Sequence, residues 1–243
     1  MKGKRVAVGM LVGLLALAGS AAPILAQGGE GQVVQVTAED GLALVGDYYA
    51  PAGEIPEAGA PGVLLLHMLN SNRASWADLI PPLQEAGYAV LAVDIRGFGE
   101  TGGRTDWPLA ETDVQTWLAW LRAQDGLDPA RMSLVGASIG SNLALRGMAG
   151  DPDVLTAVAL SPGLDYQGVT TQDAIDTIDD RPVMLVAGQG DTYSALTIKQ
   201  LTQGLNGETL TRLYASRDHG TRMLGTQADL IDLIVAWLEG HTG

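Results

Sequence analysis

The residues able to do covalent chemistry are few. Between positions 131 and 143 the chain reads "RMSLVGASIGSNL", an apolar run that breaks at Gly136-Ala137-Ser138-Ile139-Gly140 and continues into small and apolar residues. One hydroxyl bracketed by two glycines suits a tight turn where neighbouring backbones leave no space for a Cβ. At the start of a helix Ser138 would have a positive helix end and the free amide of Ile139 beside it, both favourable to an oxygen gaining negative charge. A serine before a helix can equally be a plain N-cap, and a neutral serine is a poor nucleophile without a base. Its chemistry therefore depends on what the rest of the chain brings to it.

Three histidines are available. His241 falls in the C-terminal tail, where disorder is expected. His67 closes the apolar run "GVLLLH", on the oxyanion side of the site. His219, in "SRDHGTRML", remains as general base, with an exposed loop histidine as the alternative. The acid that orients it should follow a late strand, and "VMLVAGQGDTY" supplies Asp191. Its carboxylate would accept the Nδ1 proton of His219 and stabilise the imidazolium formed as Ser138 attacks a carbonyl. Asp165 in "SPGLDY" is the rival acid, and Asp218, next to the histidine, reads as surface charge. An oxyanion hole needs two amides. Ile139 would supply one, and the loop "HMLNSNRASW" the other, through Leu69 or alternatively Met68.

These residues need a scaffold that brings strand ends together. "QVVQVTAEDGLALVGDYYAP" alternates on both sides of Glu39-Asp40-Gly41 and predicts an antiparallel hairpin. The runs "GVLLLH", "YAVLAVD", "RMSLVG", "TAVALS" and "PVMLVAG" are continuous and apolar, as in strands buried on both faces of a parallel sheet, and "TLTRLYA" is the last strand. Helical stretches are predicted over Arg73–Ala86 (interrupted by Pro81 and Pro82), Thr112–Ala123, Ser138–Met148, Tyr193–Gly204 and Arg222–Leu238. Strands alternating with helices predict an α/β fold with a parallel sheet covered on both faces. In such a sheet the chemistry lies beyond the carboxyl ends of the strands, which is where Ser138, Asp191 and His219 all fall.

The chain has 243 residues, 47% of them apolar, enough for one large core. Lys2, Lys4 and Arg5, the apolar run Val6–Ala18, Pro23 and a small residue at Ala26 have the layout of a secretory signal peptide over residues 1–26. Residues 27–31 read as a flexible neck and 32–243 as the α/β domain. Export or periplasmic placement is expected, the alternative being an uncleaved leader that anchors the chain in a membrane. No cysteine is present, which excludes disulfides and a lipid-modified N-terminus. Without the leader, 11 basic residues face 28 acidic ones, a net charge near −17. Nucleic acid and anionic membrane are accordingly poor partners. No metal or cofactor is called for: Asp173, Asp176, Asp179 and Asp180 lack EF-hand spacing and suit a solvated helix face with Ala174, Ile175 and Ile178 turned inward. "DIRGFGETGG" reads as a glycine-rich turn, without the lysine of a phosphate loop.

Taken together, "LLLHMLNSNRASW", "AVDIRGFGETGG", "LVGASIGSNLAL", "AGQGDTYS" and "DHGTRML" resemble the α/β-hydrolase superfamily, most closely its small lidless dienelactone-hydrolase-like and serine-peptidase-like esterases. The resemblance covers essentially all of the chain after the leader. It implies a mostly parallel eight-stranded sheet with helices on both faces, no large lid, and a Ser138, Asp191, His219 triad in the superfamily's chain order. Two features depart from the pattern. His67 is followed by Met68 where the family usually has glycine, and the cysteine nucleophile of dienelactone hydrolases is absent, so their substrate does not carry over. The implied activity is hydrolysis of a small carboxylic ester through an acyl-serine. Peptide hydrolysis and a non-catalytic binding role on the same fold stand as alternatives.

Overall fold

The computed structural model describes residues 30–243 and the backbone of Leu25–Ala26. The expected leader, that dipeptide aside, and residues 27–29 of the neck lie outside the described residues. Strands β1 (Gln32–Thr37) and β2 (Ala43–Tyr49) form the antiparallel hairpin, from Gln32 opposite Tyr48 to Thr37 opposite Ala43. Its turn uses Gly41 at φ 86° and an Asp40 carboxylate that accepts the Leu42 amide.

Six further strands follow: β3 (Ala60–Leu66), β4 (Ala89–Val93), β5 (Leu127–Ala137), β6 (Val154–Leu160), β7 (Val183–Gly188) and β8 (Thr209–Tyr214). The eight-stranded sheet has the order β8-β7-β6-β5-β3-β4-β2-β1. It is parallel from β8 through β4 and antiparallel only where β2 meets β4 and β1. Alternate residues of the central strands feed two apolar layers. Leu64 and Leu66 pack toward Val114, Trp117 and Leu121 of α2 (Trp107–Arg122) and Leu143 of α3 (Ile139–Gly150). Val63 and Leu65 pack toward Leu83 of α1 (Ile80–Glu85) and toward Ile234 and Leu238 of α6 (Leu230–Thr242). Each fully buried side chain of this size contributes about 1.5–3 kcal/mol, so an interior without disulfides can rest on these two layers.

Several helix bounds differ from the sequence reading, each for a local or distant cause. Helix α2 begins at Trp107 because Asp106 caps it, its carboxylate accepting the Leu109 amide at 3.2 Å. The stretch 73–86 divides into a 3-10 turn, Arg73–Trp76, and α1, with Pro81 and Pro82 in the first turn, where a missing N–H costs nothing. The stretch 222–238 divides into a 3-10 turn, Gly220–Gly225, and α6. That last helix runs on to Thr242, so the expectation of a disordered His241 is corrected. His241 Nδ1–H donates to the Trp237 carbonyl at 2.6 Å and its ring lies 4.0 Å from the Trp237 ring. The helix end is held from far along the chain: Arg131 Nε donates to the Thr242 carbonyl and Tyr88 bonds the Thr242 hydroxyl at 2.6 Å.

Between β6 and β7 there is no large lid. The connector is a two-residue ladder, Asp165–Tyr166 against Val169–Thr170, and the single turn α4 (Gln172–Ile175). Ala174, Ile175 and Ile178 are buried beneath it, and Asp173 pairs with Arg146 at 2.8 Å. Among the described residues no helix is long and apolar enough to cross a membrane. The feature that positions a site is the topology at β3. The chain leaves β3 for β4 on one side and later returns as β5 on the other, and the crevice at such a reversal is where open α/β sheets bind ligands.

Candidate active site

Ser138 sits at that reversal, in the step from β5 to α3. Its backbone has φ 53° and ψ −122°, a conformation L-residues avoid, held by its amide donating to the Leu160 carbonyl at 2.8 Å and its carbonyl accepting from Ser141. The two glycines are required by contact. A Cβ on Gly136 would lie 2.0 Å from the Gly140 carbonyl oxygen, and one on Gly140 would lie 2.2 Å from the Leu66 carbonyl oxygen. Helix α3 thus starts directly against the ends of β5 and β3. Gly140→Ala should cost about 3 kcal/mol or more in urea unfolding, because the obstacle is backbone and cannot rotate away.

Asp191 follows β7 at the N-cap position of α5 (Thr192–Leu201), and His219 follows β8. His219 Nδ1 lies 2.6 Å from Asp191 Oδ2. The two loops come this close because both glycines of Gly188-Gln189-Gly190 give way. A Cβ on Gly188 would meet the Ser216 carbonyl oxygen at 2.8 Å, and the Gly190 amide donates to that same oxygen, also at 2.8 Å. Behind the histidine, the Gly220 amide donates to Ser161 Oγ at 2.9 Å. Asp218 turns away, accepting from Thr226 and Gln227. The rival acid Asp165 closes its own ladder turn by accepting the Gly168 amide at 2.7 Å. Among the described residues no hydrogen bond joins Ser138 Oγ to His219. Apo sites commonly hold this contact long and tighten it around substrate.

Ile139 opens α3, so its amide belongs to the first turn, which has no intrahelical acceptor. The opposing loop is pinned at both ends to the end of β4. At one end His67, fully buried, accepts the Ile95 amide at Nε2 (3.0 Å), which puts the proton on Nδ1, donated to the Met68 carbonyl at 2.8 Å. At the other end the Arg73 amide donates to Asp94 at 2.8 Å while its guanidinium pairs with Asp94, Asp47 and Glu100. Burial opposes the charge on Arg73, but the hydrogen bonds and charges of Asp47 and Asp94 outweigh it and hold the group protonated. Between these anchors Leu69 is exposed and Asn70 has φ 56°. The Met68 side chain, unexpected at this position, fills the space left by Gly220 and accepts from Thr221 at its sulfur (3.8 Å). Arg73 and Asp94 were invisible as partners in the sequence. The available signal was a carboxylate ending a buried strand, which requires a cation.

Burial pushes the His67 pKa below its ordinary value, so folding keeps it neutral while the unfolded chain takes up a proton below about pH 6.5. Its contribution is complete above that pH and is lost as pH falls, at most about 1.4 kcal/mol per pH unit. The stability gap between wild type and His67→Gln in urea titrations should therefore narrow from pH 7 to pH 5. Among the described residues no group of three His, Asp or Glu side chains is gathered to hold a metal ion.

An uncharacterized protein of Mycobacterium tuberculosis, Rv2307c, is 31% identical over 132 residues, which are 54% of this chain and 46% of that protein. The chain thus aligns with less than half the length of this curated relative. Among solved structures, the Pyrococcus furiosus esterase Pf2001 superposes with a TM-score of 0.73 at 20% identity, covering 88% of this chain and 92% of that one. Dienelactone hydrolase from Anabaena variabilis gives 0.69 at 19% identity, covering 88% and 100%. Both show the same fold. Residues 61–216, the span from β3 to just past β8 that carries the Ser138 turn and the Asp191 loop, match the family model described as alpha/beta hydrolase fold, and the chain belongs to that family.

Proposed function

We propose that the protein is an exported serine hydrolase of small carboxylic esters, with Ser138 as nucleophile, His219 as general base and acid, and Asp191 as its orienting partner. The observation that carries this reading is the His219–Asp191 contact of 2.6 Å beside a serine held at φ 53°. With Nδ1–H donated to Asp191, Nε2 is left unprotonated and able to accept a proton. It takes the Ser138 Oγ proton as Oγ bonds to the ester carbonyl carbon, and the carbonyl oxygen becomes the oxyanion. The amides of Ile139 and Leu69, or Met68 in its place, receive that charge, each worth about 3 kcal/mol in the transition state. Collapse breaks the bond to the alcohol oxygen, which leaves with the Nε2 proton. Water then repeats the sequence on the acyl-serine and releases the acid.

Fold alone does not assign chemistry, so support comes from the site; the superposed esterases are consistent with it. A fluorophosphonate probe on the folded protein should label Ser138 stoichiometrically, and methyl esters graded by acyl length should be hydrolysed while a peptide amide of the same acid is not. Absence of labelling in folded protein would favour a non-catalytic role. Preference for the amide would move the reading to peptide hydrolysis. Export through residues 1–26 predicts a mature chain beginning at Gln27, read by N-terminal sequencing of the secreted or periplasmic fraction.

A further inference from the structure

One aromatic side chain at the site has no part in the chemistry above. Tyr166 lies in the ladder between β6 and β7, with its ring edge-on to the His219 imidazole, centroids 6.4 Å apart at 85°. Its hydroxyl bonds Ser194 Oγ at 3.2 Å and reaches the Ser161 carbonyl at 3.4 Å. Burial raises its pKa, with the hydrogen bond to Ser194 acting in the opposite direction, so the phenol stays neutral. The ring packs against the backbone at position 163 because that residue is glycine: a Cβ there would stand 2.6 Å from a ring carbon. On its outer side Tyr193 packs edge-on at 5.5 Å.

The segment that carries Tyr166 is braced rather than free to swing. The Tyr193 hydroxyl accepts the Asp165 amide at 3.0 Å and donates to the Asp165 carbonyl at 3.1 Å. From α3, the helix that Ser138 begins, Asn142 donates to the Gly163 and Val169 carbonyls and accepts the Gly163 amide at 3.0 Å. A wall tied to the nucleophile's own helix keeps its distance from Ser138 fixed, and only 7% of Ser138 is exposed.

Resting on the serine-hydrolase reading, we infer that Tyr166 is a specificity-determining residue: its ring closes the alcohol side of the site and restricts substrates to esters of small alcohols. The side follows from the chemistry. His219 must hand its proton to the departing alcohol oxygen, so the alcohol lies at the imidazole, and Tyr166 is the ring standing against that imidazole. The acyl group and oxyanion face Ile139 and the Leu69 loop instead.

The test uses acetate esters of methanol, butanol and benzyl alcohol, beside methyl esters of acetate, butyrate and hexanoate, with wild type, Tyr166→Phe, Tyr166→Leu and Tyr166→Ala. Tyr166→Ala should raise the benzyl-to-methyl ratio of kcat/KM by about tenfold or more, the scale at which pocket volume discriminates, and Tyr166→Leu should raise it less. Tyr166→Phe should keep the wild-type ratio, and the acyl series should keep its order in all variants. An unchanged alcohol ratio in both Tyr166→Ala and Tyr166→Leu, or a shift confined to the acyl series, would overturn the inference. Fluorophosphonate labelling separates the two levels. A wild type that neither labels nor turns over any ester defeats the underlying reading, whereas full labelling with an unmoved alcohol ratio defeats only the role of Tyr166.

Discussion

Ser138→Ala is expected to lower kcat for ester hydrolysis by about 10⁶-fold while leaving the fold intact. The size follows from the division of labour. Without Oγ the imidazole has no proton to take, no acyl-enzyme can form, and the amides of Ile139 and the opposing loop retain only their ability to polarise a carbonyl toward direct attack by water. That remainder is worth about 10³–10⁴ over the uncatalysed rate. The side chain itself carries little of the structure. Ser138 makes its structural bonds through its backbone amide and carbonyl, and alanine keeps both. Circular dichroism and urea midpoints should therefore match wild type. Single-turnover measurements on methyl acetate would read the loss directly, and a variant retaining even a hundredth of wild-type kcat would exclude Ser138 as nucleophile.

Asp191→Asn is expected to cost about 10⁴-fold in kcat near neutral pH with little change in KM. The carboxylate at 2.6 Å can only accept, so it demands the proton on Nδ1 of His219. An asparagine amide can donate to Nδ1 instead, which stabilises the tautomer carrying its proton on Nε2, unable to accept from Ser138. The same substitution removes the negative charge that offsets the imidazolium in the transition state. Substrate binding should be nearly untouched, since Asp191 reaches the site only through the histidine. Equal falls in kcat and kcat/KM would be the signature of an interaction made in the transition state. A large rise in KM with kcat preserved would instead assign Asp191 to substrate binding.

Much of the scaffold was legible from the local pattern of apolar residues. Strands buried on both faces must be apolar at every position, so β3, β4 and β7 announce themselves as unbroken runs, and helices between them force the parallel arrangement. The turn at Ser138 was legible because glycines at 136 and 140 bracket a serine where an apolar run gives way to a helix. The reason for Gly136 lies within the turn, the Gly140 carbonyl oxygen where a Cβ would go, while that for Gly140 is tertiary, the Leu66 carbonyl oxygen of β3. His219 and Asp191 could be singled out because each lies in the loop that follows a strand of an open sheet. What could not be read was any pairing across long sequence distance. Arg73 with Asp94 and Asp47, Arg131 with the last carbonyl of α6, and Tyr166 against His219 join residues whose local surroundings say nothing of one another.

By itself, then, the sequence determined the α/β class, the order of strands and helices and the identity of the few residues able to do chemistry, because periodicity and turn residues are local properties of a chain. The tertiary structure decided which of those residues meet. It set Asp191 rather than Asp165 against the imidazole, ordered His241 in the last helix turn, gave Met68 a seat beside Gly220 and laid the Tyr166 ring along the histidine. Those outcomes depend on angstrom-scale fits between segments tens of residues apart, and such distances are fixed only when both apolar layers close over the sheet.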